Sequence, residues 1–282
     1  MQGKTVVITG ASSGIGLETA RALATKGARV MMVVRNEQRG QDAIANLRTT
    51  VPDASLELVL ADLYSLAEVR KAGAELRKRC PRIDVLVNNA GQIHRHRELT
   101  VDGFERTFAL NHLAAFLLSY ELRDVLAASA PARIVSVSSI GYRLARFDWD
   151  DLPTMTKWKG ETAVYGASKL CTLWFARESA RRLADKRITS NSLHPGAVGS
   201  NFGTSGSWLF KHGTQLAKRL LLTPAQGART SVYLASAPEV AGVTGEYFSR
   251  CKATTPSKRA RDDASARRLW ELSERLCGVT WS

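Results

Sequence analysis

The chain has 282 residues, with 40 lysines and arginines against 26 acids and a formal net charge of +14. Charge of this size attracts phosphates, nucleic acid or an anionic membrane. Yet the basic residues are dispersed, and the denser stretches, 177–187 and 252–268, are interrupted by acids and read as solvated helical faces. No basic run is interleaved with aromatics, so no nucleic-acid partner is expected, whereas peripheral contact with a membrane suits such a surface. No apolar run is long enough to span a bilayer. A strand-like segment at 4–9 begins almost at once, which argues against a signal peptide. Cys80, Cys171, Cys251 and Cys277 are scattered, with no Cys-x-x-Cys pair. Reduced, buried thiols in a cytoplasmic protein are the expectation.

Lys4-Thr5-Val6-Val7-Ile8-Thr9 is a β-branched run that predicts a buried parallel strand. Gly10-Ala11-Ser12-Ser13-Gly14-Ile15-Gly16 follows, then a helix over 15–25 that Lys26-Gly27 ends. Strand, glycine turn and helix together form a setting in which the backbone can approach a pyrophosphate at a positive helix N-terminus. A second strand, 28–34, ends at Arg35-Asn36. At such a tip a carboxylate would bind a ribose 2′-hydroxyl, whereas an arginine accommodates a 2′-phosphate. Arg35, with Arg39 one turn later, points to the phosphate. Two exposed arginines at a helix start are the plainer alternative.

A surface helix is expected over 37–50, a third strand over 56–61 ending at Asp62-Leu63, and a helix over 66–79. The fourth strand, 83–87, runs into Asn88-Asn89-Ala90-Gly91. Strands alternating with helices of this length imply right-handed βαβ units. The predicted fold is α/β: a doubly wound parallel sheet in three layers, α/β/α, of about seven strands. No linker or composition break divides residues 1–282, so a single domain is expected.

Two helices are expected within 101–128, around Asn111. The fifth strand, 132–137, ends at Ser138-Ser139-Ile140-Gly141, where hydroxyls would lie at the carboxyl edge of the sheet, the edge at which open α/β folds bind ligands. Spacing admits either serine. Ser139 is preferred because it directly precedes the Ile140-Gly141 turn. A connection over 142–162 carries Phe147, Trp149 and Trp158.

An amphipathic helix over 163–183 follows, opening on Tyr165-Gly166-Ala167-Ser168-Lys169. A phenol and an ammonium four residues apart share a helical face. A free tyrosine titrates near ~10, and a nearby cation favours the phenolate. Such a pair can exchange a proton with an oxygen of a small substrate. A surface lysine beside a half-buried tyrosine has the same spacing. A sixth strand, 188–193, leads to His194-Pro195-Gly196. Residues 245–248 are a candidate seventh, and 265–276 a terminal helix. His94-Arg95-His96 has no third ligand near in sequence, so no metal is expected, and Met31-Met32 reads as core packing.

Thr9-Gly10-x-x-x-Gly14-Ile15-Gly16, Asn88-Asn89-Ala90-Gly91, Asn111, Ser139, Tyr165-x-x-x-Lys169 and His194-Pro195-Gly196 stand in a fixed order. The set resembles the short-chain dehydrogenase/reductase superfamily over residues 4–248. Arg35, the long Ser139-to-Tyr165 spacing, Asp150-Asp151-Leu152 and the tail Leu269-Trp270-Glu271-x-Ser273 resemble its retinol-dehydrogenase-like branch. The resemblance implies Tyr165 as general acid/base at a carbonyl oxygen, and Ser139 as hydrogen-bond donor to that oxygen. It implies Lys169 as ribose ligand that lowers the Tyr165 pKa, and Asn111 as holder of a water in a relay to Lys169. For the cofactor it implies Gly10, Ser12, Ser13, Gly14, Ile15 and Gly16 at the pyrophosphate, and Asp62 and Leu63 over the adenine. Asn89, Ala90 and Gly91 would border a ribose, and Pro195 and Gly196 the nicotinamide. Dimers or tetramers packed through helices near Asn111 and Tyr165 are implied as well.

Two departures bear on these expectations. Members preferring NADPH often carry a basic residue in the glycine turn, and here that position is Ser13. Preference for NADP(H) over NAD(H) therefore rests on Arg35, helped by Asn36 and Arg39. The hydrophobic N-terminal anchor common in animal retinol dehydrogenases does not precede the first strand, so a retinoid substrate does not follow from the branch. The reading is an NADP(H)-dependent oxidoreductase acting on a carbonyl or alcohol substrate, lipophilic or aromatic. The alternative is a redox sensor that holds the dinucleotide without turnover, against which the intact Asn111, Ser139, Tyr165 and Lys169 argue. Residues 92–100, 142–162 and 197–222 should line the substrate mouth. Within them, 205–222 has the spacing of an amphipathic helix: a mobile lid, or a helix packed permanently on the domain.

Overall fold

The computed structural model describes residues 1–198 and 221–281. The predicted segment 205–222 thus lies outside the described residues except for Leu221 and Leu222. Eight strands form one sheet, in the spatial order β3-β2-β1-β4-β5-β6-β7-β8. They are β1 (Thr5–Thr9), β2 (Arg29–Val34), β3 (Leu56–Leu60), β4 (Val85–Asn88), β5 (Ala132–Val137), β6 (Ile188–His194), β7 (Tyr247–Ser249) and β8 (Lys252–Ala253). β1 to β7 pair in parallel, and β8 returns antiparallel to β7. The expected doubly wound sheet is present, with one strand more than expected. β8 is two exposed residues, too short for any alternation to announce it.

Strand side chains alternate between two cores. Val7, Met31 and Val33 enter one, and Val6, Ile8, Val30 and Met32 the other. Adjacent Met31 and Met32 are thereby both buried, on opposite faces. The first core is closed by α3 (Leu66–Arg79), α5 (Ala114–Glu121), α7 (Glu161–Arg182) and α9 (Asp263–Cys277), the second by α1 (Gly14–Thr25), α2 (Glu37–Arg48) and α8 (Pro224–Ser236).

Four differences from the expected elements stand out. The 101–128 region is not two helices. A short α4 (Arg106–Phe108) passes into a π-turn (Ala109–Leu113), then into α5 and α6 (Arg123–Ala128). α7 is not amphipathic: Ala163, Gly166, Lys169, Leu170, Trp174 and Glu178 are all buried, so the helix is enclosed on nearly every side. A helix without an expected counterpart, α8, is capped reciprocally by Thr223 and Gln226, with Pro224 in its first turn. The β4 strand starts two residues later than expected; just before it, the Asp84 carboxylate accepts from Lys4 Nζ at 2.8 Å and from the Thr5 N–H at 2.9 Å.

Candidate active site

At the carboxyl edge of β1 the chain turns through Gly10 and Gly14, both at positive φ (67° and 58°), into α1. Ser13 occupies the N-cap without a side-chain cap bond, and no acid stands in the first turn, so the positive helix end faces outward. Gly16 is a matter of space: a Cβ there would lie 2.4 Å from Gly10 O and 2.5 Å from Asn89 Nδ2. Asn89 in turn donates to Thr9 O at 2.8 Å, and Thr9 Oγ1 accepts the N–H groups of Asn89 (3.0 Å) and Ala90 (2.9 Å). The tips of β1 and β4 are thus laced together. A glycine-lined turn leading into an acid-free helix N-terminus fits a phosphate.

Arg35 is exposed at the tip of β2, and its guanidinium lies 5.8 Å from the centroid of the Tyr64 ring. Asn36 caps α2 by accepting the Arg39 N–H at 2.9 Å. Asp62 accepts the Tyr64 N–H at 3.2 Å, and Leu63 is buried beside it. The Tyr64 hydroxyl lies 3.1 Å from Gln92 Oε1 and 2.9 Å from His94 Nε2. His94 therefore serves this hydrogen-bonded cluster; burial, then the Arg106 charge, pushes its pKa below the usual imidazole value.

α7 brings Tyr165 and Lys169 beneath the end of β5. Gly166 makes this approach feasible, since a Cβ there would meet Gly141 O at 2.7 Å and Ala145 N at 2.8 Å. Ser139, two residues beyond β5, accepts the Gly141 N–H at 3.1 Å, leaving its own proton to donate; its hydroxyl is hydrogen-bonded with Tyr165. Ser138 is buried and donates to Lys169 O at 2.8 Å, so the two serines face different partners. His194 Nδ1 accepts the Ile140 N–H at 3.3 Å and ties the end of β6 to the same turn.

Lys169 is 3% exposed; its Nζ donates to Val137 O at 2.9 Å and lies 5.7 Å from the Tyr165 ring centroid. Burial pushes its pKa down to about 8. Tyr165 keeps some access to solvent, but the dense protein around it pushes its pKa up to about 12, against the opposing hydrogen bond with Ser139. The same burial that raises the phenol weakens the ammonium.

Asn111 sits in the π-turn. Its Oδ1 accepts the Gln92 N–H (2.8 Å), and its Nδ2 donates to Gln92 O (3.0 Å) and Ser168 Oγ (2.9 Å). Asn111 Oδ1 and Lys169 Nζ both crowd Gly91, where a Cβ would lie 3.1 Å and 3.0 Å from them. The structure thus gathers Gly91, Asn111, Ser139, Tyr165 and Lys169 at one edge. Pro195 and Gly196 follow β6 there, and Gly196 has a φ of 94° with Leu222 against it. Gln92, Ser168 and Tyr64 were not singled out from the sequence. Ser168 could have been, standing three residues after Tyr165 and beside Lys169. Toward Asn111, Gln92 works through its backbone, which no residue type announces.

The short chain dehydrogenase profile matches residues 4–151. Retinol dehydrogenase 14 of Mus musculus is 41% identical over 297 residues, covering 99% of this chain and 87% of its own. This chain belongs to the short-chain dehydrogenase/reductase family, in its retinol-dehydrogenase-like branch. Human retinol dehydrogenase 13 is 38% identical, with 98% and 85% covered. Among solved structures, an uncharacterized protein from Mycobacterium paratuberculosis superposes with a TM-score of 0.80 at 32% identity, covering 100% of this chain and 96% of its own. An actinorhodin polyketide ketoreductase variant with NADPH gives 0.69 at 26% identity, with 87% and 94% covered. The family is one of oxidoreductases that bind a nicotinamide dinucleotide.

Proposed function

We propose that the protein is an NADP(H)-dependent oxidoreductase that moves hydride between the nicotinamide and a lipophilic or aromatic carbonyl or alcohol. The carrying observation is the meeting of Ser139, Tyr165, Lys169 and Asn111 at the edge where α1 presents its N-terminus. When bound, the nicotinamide supplies or accepts the hydride. Gly10, Gly14 and Gly16 admit the pyrophosphate. Ser139 donates a hydrogen bond to the substrate oxygen, where charge grows during reduction. Tyr165, protonated at neutral pH because its pKa is near 12, gives that oxygen a proton. Lys169 holds a ribose and, with its pKa near 8, takes up and releases protons close to neutrality. Asn111, fixed by Gln92 and Ser168, keeps the proton path to Lys169 in place.

NADP(H) preference is supported by Arg35, exposed at the β2 tip against Tyr64. A lipophilic substrate is supported by Ile140 and Leu144, which stand 46% and 55% exposed on the turn after Ser139. Relatives named for retinol make an apolar allylic alcohol or aldehyde a sensible first probe. The test is a screen of aldehydes and ketones followed by NADPH absorbance, with NADPH and NADH dissociation constants measured alongside. The Arg35→Asp variant should invert or erase the cofactor preference. Equal constants in the native protein would end the NADP(H) assignment. Best activity on small polar carbonyls would end the lipophilic one.

A further inference from the structure

The tail motif Leu269-Trp270-Glu271-x-Ser273 lies on α9, far along the chain from every residue of the proposed chemistry. Ser273 is wholly buried, and its hydroxyl lies 2.7 Å from Leu269 O and 2.7 Å from His112 Nε2. The single hydroxyl proton goes to the carbonyl, which can only accept. Ser273 Oγ therefore accepts from His112, and His112 is the Nε2–H tautomer. Its ring is enclosed by Phe108, Phe116 and Phe175, with centroids 5.3, 6.3 and 6.4 Å away. Burial pushes its pKa down to about 3, so it stays neutral and keeps one fixed donor.

His112 is the residue after Asn111, within the same π-turn. A π-turn carries one residue more than the helix around it needs, and side chains on either side of it shift in register. Asn111 is held from one side by Gln92 and Ser168, and its neighbour from the other side by Ser273. α9 is itself anchored to the Tyr165 helix: Trp270 stacks on Phe175 of α7 at 6.0 Å and 8°. One helix outside the site therefore grips both helices that bear it.

We propose that the His112–Ser273 hydrogen bond fixes the register of the π-turn and so aims Asn111, making His112 and Ser273 positioning residues for proton transfer. The proposal rests on the reading above that Asn111 belongs to the proton path. Lost alignment is costly in rate even where contacts to substrate survive. His112→Leu fills the same volume without a donor. It should lower kcat about tenfold per nucleotide-binding site, with the nucleotide dissociation constant changed by no more than about twofold. It should distort the pH profile of alcohol oxidation in the manner of Asn111→Ala. His112→Gln places an amide N–H near the old Nε2 and should restore most of the rate. Asn111→Ala combined with His112→Leu should lose little beyond Asn111→Ala alone, since both act through one residue.

The measurement is kcat, KM and the pH profile for these variants, normalised to titrated NADPH sites so that misfolded chains do not count. Where His112→Leu fails to accumulate, Ser273→Ala carries the same comparison. Loss confined to thermal stability or to the number of sites, with normal kcat per site, overturns the proposal. So does full additivity in the double variant. If Asn111→Ala itself turns over normally, the assignment of Asn111 is what fails. If Asn111→Ala is slow while His112→Leu and Ser273→Ala are normal, only the present inference fails.

Discussion

Two buried ionisable side chains mark opposite edges of the sheet, and the fold treats them differently. Asp84, 3% exposed at the amino edge, receives Lys4 at 2.8 Å, Arg82 at 2.6 Å and the Thr5 N–H at 2.9 Å. Burial opposes its charge, but the hydrogen bonds from Arg82, Lys4 and Thr5 outweigh it and hold the carboxyl below its usual range. Lys169, equally buried at the carboxyl edge, has no carboxylate in a salt bridge with it among the described residues and donates to the neutral Val137 carbonyl. Its pKa falls to about 8. A fully compensated buried charge is an element of structure. One held near its titration point is available for chemistry.

Four experiments would break or sharpen this contrast. Tyr165→Phe should show the largest effect. It removes the phenol proposed above as proton donor and should cut turnover about a thousandfold, with NADPH affinity nearly unchanged by fluorescence titration. Substantial activity there would take Tyr165 out of the proton-transfer role. Next, Lys169→Met should lower kcat about a hundredfold and weaken nucleotide binding. Yet it should leave the protein as stable or about 1 kcal/mol more stable, because a poorly compensated buried charge has been removed. A clear loss of stability in urea would erase the contrast with Asp84.

Asp84→Ala should behave in the opposite way. It should cost about 2 kcal/mol, since Lys4 and Arg82 are partly exposed and can turn to water while the Thr5 N–H cannot. Its kcat per folded molecule should stay native. The smallest effect concerns pH. The folded pKa of Lys169, about 8, lies below its ordinary 10.5. Across that interval the unfolded chain binds more protons, so this group's contribution to stability rises with pH and is least below 8. The stability gap between Lys169→Met and wild type should therefore shrink from pH 7 to pH 9.5, measured by urea titration. Asp84 slopes the same way with pH, but at the acid end: its favourable contribution is present above the ordinary carboxylate range and is lost as pH falls through its depressed pKa.

Much of the carboxyl edge was legible from local pattern. α3 occupies 66–79 as its apolar period requires, and the glycine turn, Ser139 and the Tyr165 helix lie where the motifs put them. What escaped was decided by partners distant in sequence. The π-turn at Asn111 has no composition of its own; Gln92, Ser168 and Ser273 hold it from three other parts of the chain. The near-complete enclosure of α7 is likewise set by elements packed around it, which a helical period cannot report. α8 is a different case. Thr223-Pro224-Ala225-Gln226 carries a capping box with proline inside it, so a full signal stood in the sequence.

The far end of the sheet carries a consequence for how copies of this chain meet. After β7 the backbone reverses through Arg250 and Cys251, both at positive φ (51° and 59°), a conformation more natural to Asn-Gly. The Cys251 N–H is held by Thr230 Oγ1 of α8 at 3.2 Å, which offsets part of that cost. What the turn accomplishes is to lay a two-residue strand, one of them a lysine, along the last parallel ladder. A parallel sheet left open at β7 would offer its unpaired N–H and C=O groups to any passing strand. β8 occupies them and is itself too short and too charged to serve as a template, so on this side the sheet is closed to edge-to-edge aggregation.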